Sequence, residues 1–252
     1  MFRIFNKSVE AIKGTLPEGV IVFLKKLRDY FLSTNLSKKA LSNFSSLEPE
    51  EVLSFCSRFC LGAIKPMQIK EEFLELLKIF KELNPRFILE IGTAYGGSLF
   101  CFCKLAREDA VIISVDLPYG KFGGGYPELR IPIYKAFAKP KQKLILLRTD
   151  SHKEETLAKV REILKGNFLD FLFIDGDHTY EGVRKDFEMY SNLVRYGGII
   201  AFHDVVFPLR NPECRVHDFW KELCKRYPNR WREIIKDRNQ GWGGIGILIH
   251  GK

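Results

Sequence analysis

The chain has 252 residues, is 46% apolar and 13% aromatic, and sets 40 lysines and arginines against 31 aspartates and glutamates for a formal charge of +9. That length and apolar content exclude disorder as the main state and fit one sizeable α/β core with an appended lobe. The positive charge favours an anionic partner, but the basic residues are interleaved with glutamates as on an ordinary solvated surface, so nucleic acid is not the expected partner.

Residues 1–65 form a region of short helical candidates broken by Pro17, the polar stretch Ser33 to Ser46 and Pro49, read as an N-terminal helical lobe. Within it, Glu18 to Leu32 sets Val20, Phe23, Leu24, Leu27, Phe31 and Leu32 against Lys25, Lys26 and Arg28, the pattern of a basic amphipathic helix. Such a helix covers a core or a partner subunit, or makes reversible peripheral contact with an anionic membrane surface. A second helix is expected from near Glu48 to just before Gly62. The six cysteines have no Cys-x-x-Cys pairing and read as reduced core thiols. With no secretory pattern and no run of roughly 20 apolar residues, the expected location is cytoplasmic, with peripheral residence at the inner face of a membrane as the alternative.

The main domain is expected over 66–252. Gln68 to Leu83 reads as an amphipathic helix stopped by Asn84 and Pro85, and Phe87 to Ile91 as the first strand. That strand runs into Gly92-Thr93-Ala94-Tyr95-Gly96-Gly97-Ser98, and a helix follows over Leu99 to Ala106. Glycines at a strand-to-helix turn let backbone approach a ligand at the helix N-terminus. Ala110 to Val115 is the second strand, and Asp116 at its end suits ribose hydroxyls. The Gly-x-x-x-Gly-Gly spacing departs from the Gly-x-Gly-x-x-Gly of dinucleotide folds, so a nucleoside without phosphates ranks above a nicotinamide or flavin.

Leu117 to Lys143 is longer than the usual connection in such folds. Gly120 and Gly123 to Gly125 supply mobility, and Tyr119, Phe122, Tyr126 and Tyr134 supply contact area. It is read either as a lid over the site or as an excursion packed on the sheet edge. Leu144 to Leu147 is the third strand, ending near Asp150 and Ser151, and Glu154 to Leu164 is the next helix.

The segment Phe168 to Val205 is a strand, helix, strand unit. The buried strand Phe168 to Ile174 stops at Asp175. Thr179 caps a helix that ends at Gly197 and Gly198, and the strand Ile199 to Phe202 stops at His203 and Asp204. In a parallel sheet both strand ends share one rim, so Asp175, Asp177, His178, His203 and Asp204 are expected to converge. Asp177 is read first as a helix cap, and Glu181, Arg184 and Asp186 as surface or supporting residues. A helix over Pro212 to Tyr227 and strands at Trp231 to Ile235 and Ile245 to Ile249 complete the chain.

With these signals in this order, the sequence resembles the class I S-adenosylmethionine-dependent methyltransferases. More narrowly it is similar to the cephalosporin hydroxylase-type proteins and the rhamnosyl and macrolide-sugar O-methyltransferases. The match rests on Leu89-Glu90-Ile91-Gly92 with Gly96-Gly97-Ser98, on Asp116-Leu117-Pro118, on Phe122 to Tyr126, on Ile174-Asp175-Gly176-Asp177-His178-Thr179-Tyr180-Glu181-Gly182-Val183 with Asp186, and on Gly198-Ile199-Ile200 with His203-Asp204. The resemblance implies a Rossmann-like, doubly wound, mostly parallel seven-stranded α/β sheet whose last strand is antiparallel.

It further implies a cofactor site made by Glu90, Gly92, Thr93, Ala94, Tyr95, Gly96, Gly97, Ser98, Asp116, Asp150, Ser151 and Asp175. Glu90 would anchor the glycine loop, and Asp150 with Ser151 would lie near the adenine. Asp175, His203 and Asp204 match the positions that hold a divalent cation in related O-methyltransferases. Magnesium is the first expectation there, with manganese or iron as alternatives because His203 replaces an acidic residue. Asp175 and His178 are the catalytic candidates: a cation lowers a hydroxyl pKa, and His178 accepts the proton or binds substrate.

The implied activity is metal-assisted O-methylation of a small molecule or glycan, by a protein expected to form a homo-oligomer. Three rivals stand beside it. An RNA methyltransferase suits the charge, but the Asn/Asp-Pro-Pro-aromatic signature is missing. A metal-dependent oxygenase suits two carboxylates and a histidine around iron, but not the glycine turn with Asp116. A non-catalytic, membrane-associated nucleotide-binding protein would use the basic helix as its anchor.

Overall fold

A computed structural model describes residues 19–20, 30–32, 34–120, 122 and 124–251. Most of the basic helix expected over Glu18 to Leu32 lies outside these residues.

The short apolar runs form the strands β1 (Phe87–Ile91), β2 (Val111–Val115), β3 (Lys143–Leu147), β4 (Leu169–Ile174), β5 (Val194–His203), β6 (Trp231–Ile234) and β7 (Ile245–Ile249). They make one seven-stranded sheet in the order β3-β2-β1-β4-β5-β7-β6. β1 to β5 pair in parallel, and β7 runs antiparallel to both of its neighbours. The doubly wound sheet is thus as expected, and its order reverses between β1 and β4, where ligands bind in such folds.

Helices α1 (Asn35–Asn43), α2 (Pro49–Arg58), α3 (Lys70–Leu83), α4 (Gly97–Leu105), α5 (Ile131–Lys135), α6 (Glu154–Leu164), α7 (Tyr180–Tyr190) and α8 (Val216–Arg226) complete the architecture. The strands alternate their apolar residues between two layers. Ile88, Phe171, Phe173 and Ala201 face Phe73, Phe80 and Phe102 of α3 and α4. Leu89, Ile91, Leu172, Ile174 and Phe202 face Val160, Phe187 and Phe219 of α6, α7 and α8. Phe102 touches the rings of Phe73, Phe80, Phe171 and Phe173, so one side chain ties both helices to the sheet.

Two expectations need correction. The Ser33 to Ser46 stretch is not a break, because it contains α1: Thr34 caps it by accepting from the Ser37 N–H, and Leu41 is buried. β5 begins at Val194 rather than Ile199, and Gly197 and Gly198 lie within the strand rather than ending a helix. Val194 pairs with Leu169, the register shifts, and pairing resumes at Phe171 and Ile199. Gly197, at φ 72°, supplies the bend and donates its N–H to the His250 carbonyl at 2.7 Å.

The described part of the lobe shares the main core. Phe44 stacks on Phe55, and Phe55 on Phe100 of α4, with ring centroids 4.2 and 5.5 Å apart. Cys56 of the lobe and Cys101 of α4 lie with their sulfurs 3.6 Å apart, and both are free thiols. The second half of the insertion is also core, because Tyr126, Ile133, Tyr134 and Phe137 are buried. Among the described residues no helix is long and apolar enough to cross a membrane.

Candidate active site at the switch point of the sheet

The turn after β1 is built by close backbone approach. Gly92 has φ 98°, and a Cβ there would lie 2.0 Å from the Asp175 carbonyl oxygen. Only glycine fits, and its fit lets the ends of β1 and β4 meet, with the Asp175 N–H donating to the Ile91 carbonyl at 2.8 Å. Gly96, at φ 80°, lies against the Tyr134 ring, and Gly97 against the Pro66 backbone.

Beneath the turn, Glu90 is fully buried and accepts hydrogen bonds from the Ser98 and Ser114 hydroxyls. Thr93 and Ser114 join their hydroxyls beside it. Burial outweighs these donors and pushes the Glu90 carboxyl up to about 8, so it is neutral at physiological pH and can itself donate. Asp116 accepts the Ala94 and Gly125 N–H groups, each at 2.8 Å, which stitches the turn to the insertion.

The insertion clamps the turn from the other side. Arg130, buried, donates to the Ala63 carbonyl at 3.1 Å and lies over the Tyr95 ring, while the Tyr134 hydroxyl donates to the Ala94 carbonyl at 2.9 Å. The first half behaves differently: Tyr119 is 97% exposed, and Phe122 stacks on the His178 ring with centroids 5.0 Å apart.

At the ends of β4 and β5 four charged side chains do converge. His203 Nδ1 is 3.2 Å from Asp175 Oδ1 and 3.4 Å from Asp204 Oδ2. His178 Nδ1 is 3.0 Å from Asp204 Oδ2, and its Nε2 is 3.5 Å from Asp175 Oδ1. Burial by itself would favour neutral imidazoles, but the two carboxylates prevail and raise His178 to about 12 and His203 to about 10. Burial likewise opposes ionisation of Asp175 and Asp204, and the same histidines hold both carboxyls below the usual range. The cluster is a mutually charged quartet.

Gln68 Nε2 donates to Asp175 Oδ2 at 2.6 Å, and the Gly243 N–H donates to Asp204 Oδ1 at 3.0 Å. Asp204 itself sits at φ 61°, a left-handed conformation that turns its carboxylate back toward the histidines. The loop that carries Gly243 and Trp242 is fastened by buried Glu72 of α3. That carboxylate accepts from Lys236 N–H at 2.9 Å, Gln240 Nε2 at 2.8 Å and Gly244 N–H at 2.9 Å.

The quartet and Gly92 to Tyr95, Gly97 and Ser98 line one cleft of about 570 Å³, walled also by Met67, Phe122, Cys214 and Trp242. Asp116, Asp150 and Ser151 stand at neighbouring strand ends outside that lining. Asp150 accepts the His152 N–H at 2.8 Å, and the Ser151 carbonyl accepts the Tyr190 hydroxyl at 2.6 Å. Asp177 accepts the Thr179 N–H at 2.9 Å and so shapes the start of α7, while Thr179 accepts from Gly182 N–H as its cap. Glu181 and Arg184 are exposed, but Asp186 is fully buried 3.3 Å from His152 Nε2. Its place on the inner face of α7 explains the departure from a surface role.

Asp175, His203 and Asp204 each offer one donor atom within 4.8 Å of the others, a two-carboxylate, one-imidazole set that suits a hard or borderline divalent ion. Gln68 supplies the outer hydrogen bond expected of a ligating carboxylate. Gln68, Arg130, Glu72 and Cys214 were not singled out in the sequence. They come from elements remote in the chain, and only the Gln68 position at a helix start offered any signal.

A family model described as Methyltransferase domain matches residues 89–205, the span from Leu89 in β1 to Val205 beyond the quartet. That match covers the parallel strands, the glycine turn and the quartet, which is the part of the chain that builds most of the cleft. An uncharacterized protein y4gI of Sinorhizobium fredii is 30% identical over 174 residues, 68% of this chain but 18% of that protein. The chain therefore spans under a fifth of that relative's length. The tapetum-specific methyltransferase 1 of Arabidopsis thaliana is 24% identical over 77% of this chain and 76% of its own. In fold, the chain is similar to an O-methyltransferase from Bacillus cereus solved in complex with SAH. That likeness has a TM-score of 0.53 and 21% identity, and covers 88% of this chain and 96% of that one.

Proposed function

We propose that the protein transfers the methyl group of S-adenosylmethionine to a hydroxyl oxygen of a small molecule or glycan, with a divalent cation at the quartet. The observation that carries this reading is the meeting of the Gly92 turn with Asp175, His203 and Asp204 across one cleft at the switch point. The SAH in the Bacillus cereus structure supports the cofactor. The narrower kinship with the cephalosporin hydroxylase-type and sugar O-methyltransferase group belongs to the same proposal, resting on the Asp175 to Glu181 segment with His203-Asp204. So does a cytoplasmic homo-oligomer, with the 18–32 segment as a candidate for peripheral membrane contact.

In this reading the backbone of Gly92 to Gly97 cradles the methionine end of the cofactor, and neutral Glu90 keeps that cradle rigid without adding charge. Asp116 offers its remaining lone pairs to ribose hydroxyls, and Asp150 and Ser151 border the adenine. Asp175, His203 and Asp204 would hold the cation, magnesium before manganese or iron. When bound, it supplies Lewis acidity to the acceptor hydroxyl and competes for the carboxylate charge that keeps His178 protonated. Neutral His178 then accepts the hydroxyl proton at Nε2 while Nδ1 stays hydrogen-bonded to Asp204. Phe122, on the His178 ring, excludes water from that proton transfer, the role of a lid.

Calorimetric titration of S-adenosylhomocysteine into chelator-treated protein, repeated with magnesium, manganese and iron(II), tests the reading. Micromolar binding with a cation site lost in Asp175→Ala is the expected result, and absence of binding in every condition would discard it. His178→Ala should retain that binding and lose about 10²–10⁴-fold in methyl transfer to a responsive acceptor, read by single-turnover kinetics.

A further inference from the structure

The wall of the cleft contains a thiol that the methyl-transfer reading does not use. Cys214 is 5% exposed and free, and with His178 and Asp204 it forms a second set of donors, all within 4.8 Å of one another. This set shares Asp204 with the Asp175, His203 and Asp204 group, but it exchanges a carboxylate for sulfur. Ligand softness decides which ion such a set selects, and sulfur with imidazole favours thiophilic borderline ions over magnesium.

We propose that His178, Asp204 and Cys214 form a second cation site, selective for a thiophilic ion such as zinc(II) or cobalt(II), that competes with the hard-ion site through Asp204. The cation binding goes beyond methyl transfer and stands without it, whereas the competition rests on the proposed hard-ion site.

The set is held in place by backbone. The Arg215 N–H donates to the His178 carbonyl at 2.7 Å, so the residue following the thiol is tied to the residue bearing the imidazole. The Gly243 N–H takes Asp204 Oδ1 at 3.0 Å and leaves Oδ2 toward His178 Nδ1, also at 3.0 Å. That separation suits two ligands of one tetrahedral ion, whose donors stand roughly 3–4 Å apart. Phe122 stacked on His178 blocks ring rotation away from the set. All three side chains line the cleft, which gives an ion its entry.

On binding, the Cys214 thiol and the His178 imidazolium each release a proton to solvent, and Sγ and Nδ1 coordinate with their lone pairs. The ion then occupies both the imidazole and a carboxylate that the hard-ion chemistry requires. A zinc-loaded protein is consequently inhibited, and a chelator restores it.

The test titrates cobalt(II) into the full, reduced, chelator-treated chain and follows thiolate-to-cobalt charge-transfer absorption in the near ultraviolet. The expected result is a saturable band in the parent protein that is lost in both Cys214→Ser and Cys214→Ala and kept in Asp175→Asn. Zinc affinity, by competition with cobalt, should fall in the Cys214 variants by at least the roughly 10–100-fold that loss of an outer-shell partner causes. Manganese binding and the far-ultraviolet circular dichroism of Cys214→Ser should match the parent, which separates loss of the site from loss of the fold. No band in the parent, or a band that survives in folded Cys214→Ser because Cys60 or Cys224 supplies the sulfur, would overturn the proposal. Failure of methyl transfer leaves the cobalt band untouched, so the two readings fail separately.

Discussion

The β1–β2 half of the rim and the β4–β5 half meet at Gly92 and Asp175, yet they handle charge in opposite ways. On the first half a buried carboxyl, Glu90, is surrounded by hydroxyls and is held neutral, and Asp116 is satisfied by backbone N–H groups. On the second half each of two imidazoles lies within about 3.5 Å of both of two carboxylates, and each keeps its neighbours ionised. A surface built to hold a ligand by shape gains from quiet electrostatics, whereas one built to move a proton or hold a cation needs charge in reserve. The two kinds of site coexist because the backbone, not the side chains, makes the seam between them.

The most severe way to break that contrast is Gly92→Ala, which drives a Cβ into the Asp175 carbonyl. Both halves should fail together, with destabilisation above about 4 kcal/mol in urea denaturation. Gly166→Ala, at φ 80° with open space around it, is the matched control and should lose only about 1–2 kcal/mol. A mild Gly92→Ala would show that the seam is not what couples the halves.

A smaller effect sharpens the contrast on the first half. Glu90 has a folded-state value of about 8, above its ordinary 4.5. Between these values the folded protein keeps a proton that the unfolded chain has lost, so this group lowers stability as pH rises through the window, by up to about 1.4 kcal/mol per unit. Glu90→Gln should flatten that part of the stability profile, and an unaltered slope from pH 5 to 8 would mean the carboxyl is ionised in the fold. The smallest change is Phe122→Ala, which removes one ring stack of about 1 kcal/mol. It should reduce kcat/KM roughly fivefold and leave S-adenosylhomocysteine binding as it was.

Legibility followed sequence distance. The strand ends were readable because an apolar run that stops at Asp175, or at His203 and Asp204, states both the strand and its rim, and Thr179 states the helix that follows. The β5 start was not readable, because Gly197 and Gly198 look like a helix stop until Val194 is seen paired with Leu169. The supports of the quartet and of the glycine turn were hidden for the same reason. Gln68 reaches Asp175 from 107 residues away, and Arg130 reaches Ala63 from 67 away. Composition left the insertion open between a lid and a packed excursion, because its glycines and its tyrosines point opposite ways, and only the burial of Tyr126, Tyr134 and Phe137 separates its second half as core.

Glu72 gives the site a history as well as a shape. Its partners Lys236, Gln240 and Gly244 follow it by 164 to 172 residues. At a synthesis rate of about 5–20 residues per second, they leave the ribosome roughly 10–30 seconds after α3 does. Late in that interval, once β1, β2 and β4 have emerged, the Gly92 turn has the strands it needs, while Asp204 still waits for Gly243 and the cleft for Trp242. The half of the rim proposed to hold the cofactor is thus finished in an earlier act of translation than the half proposed to hold the cation.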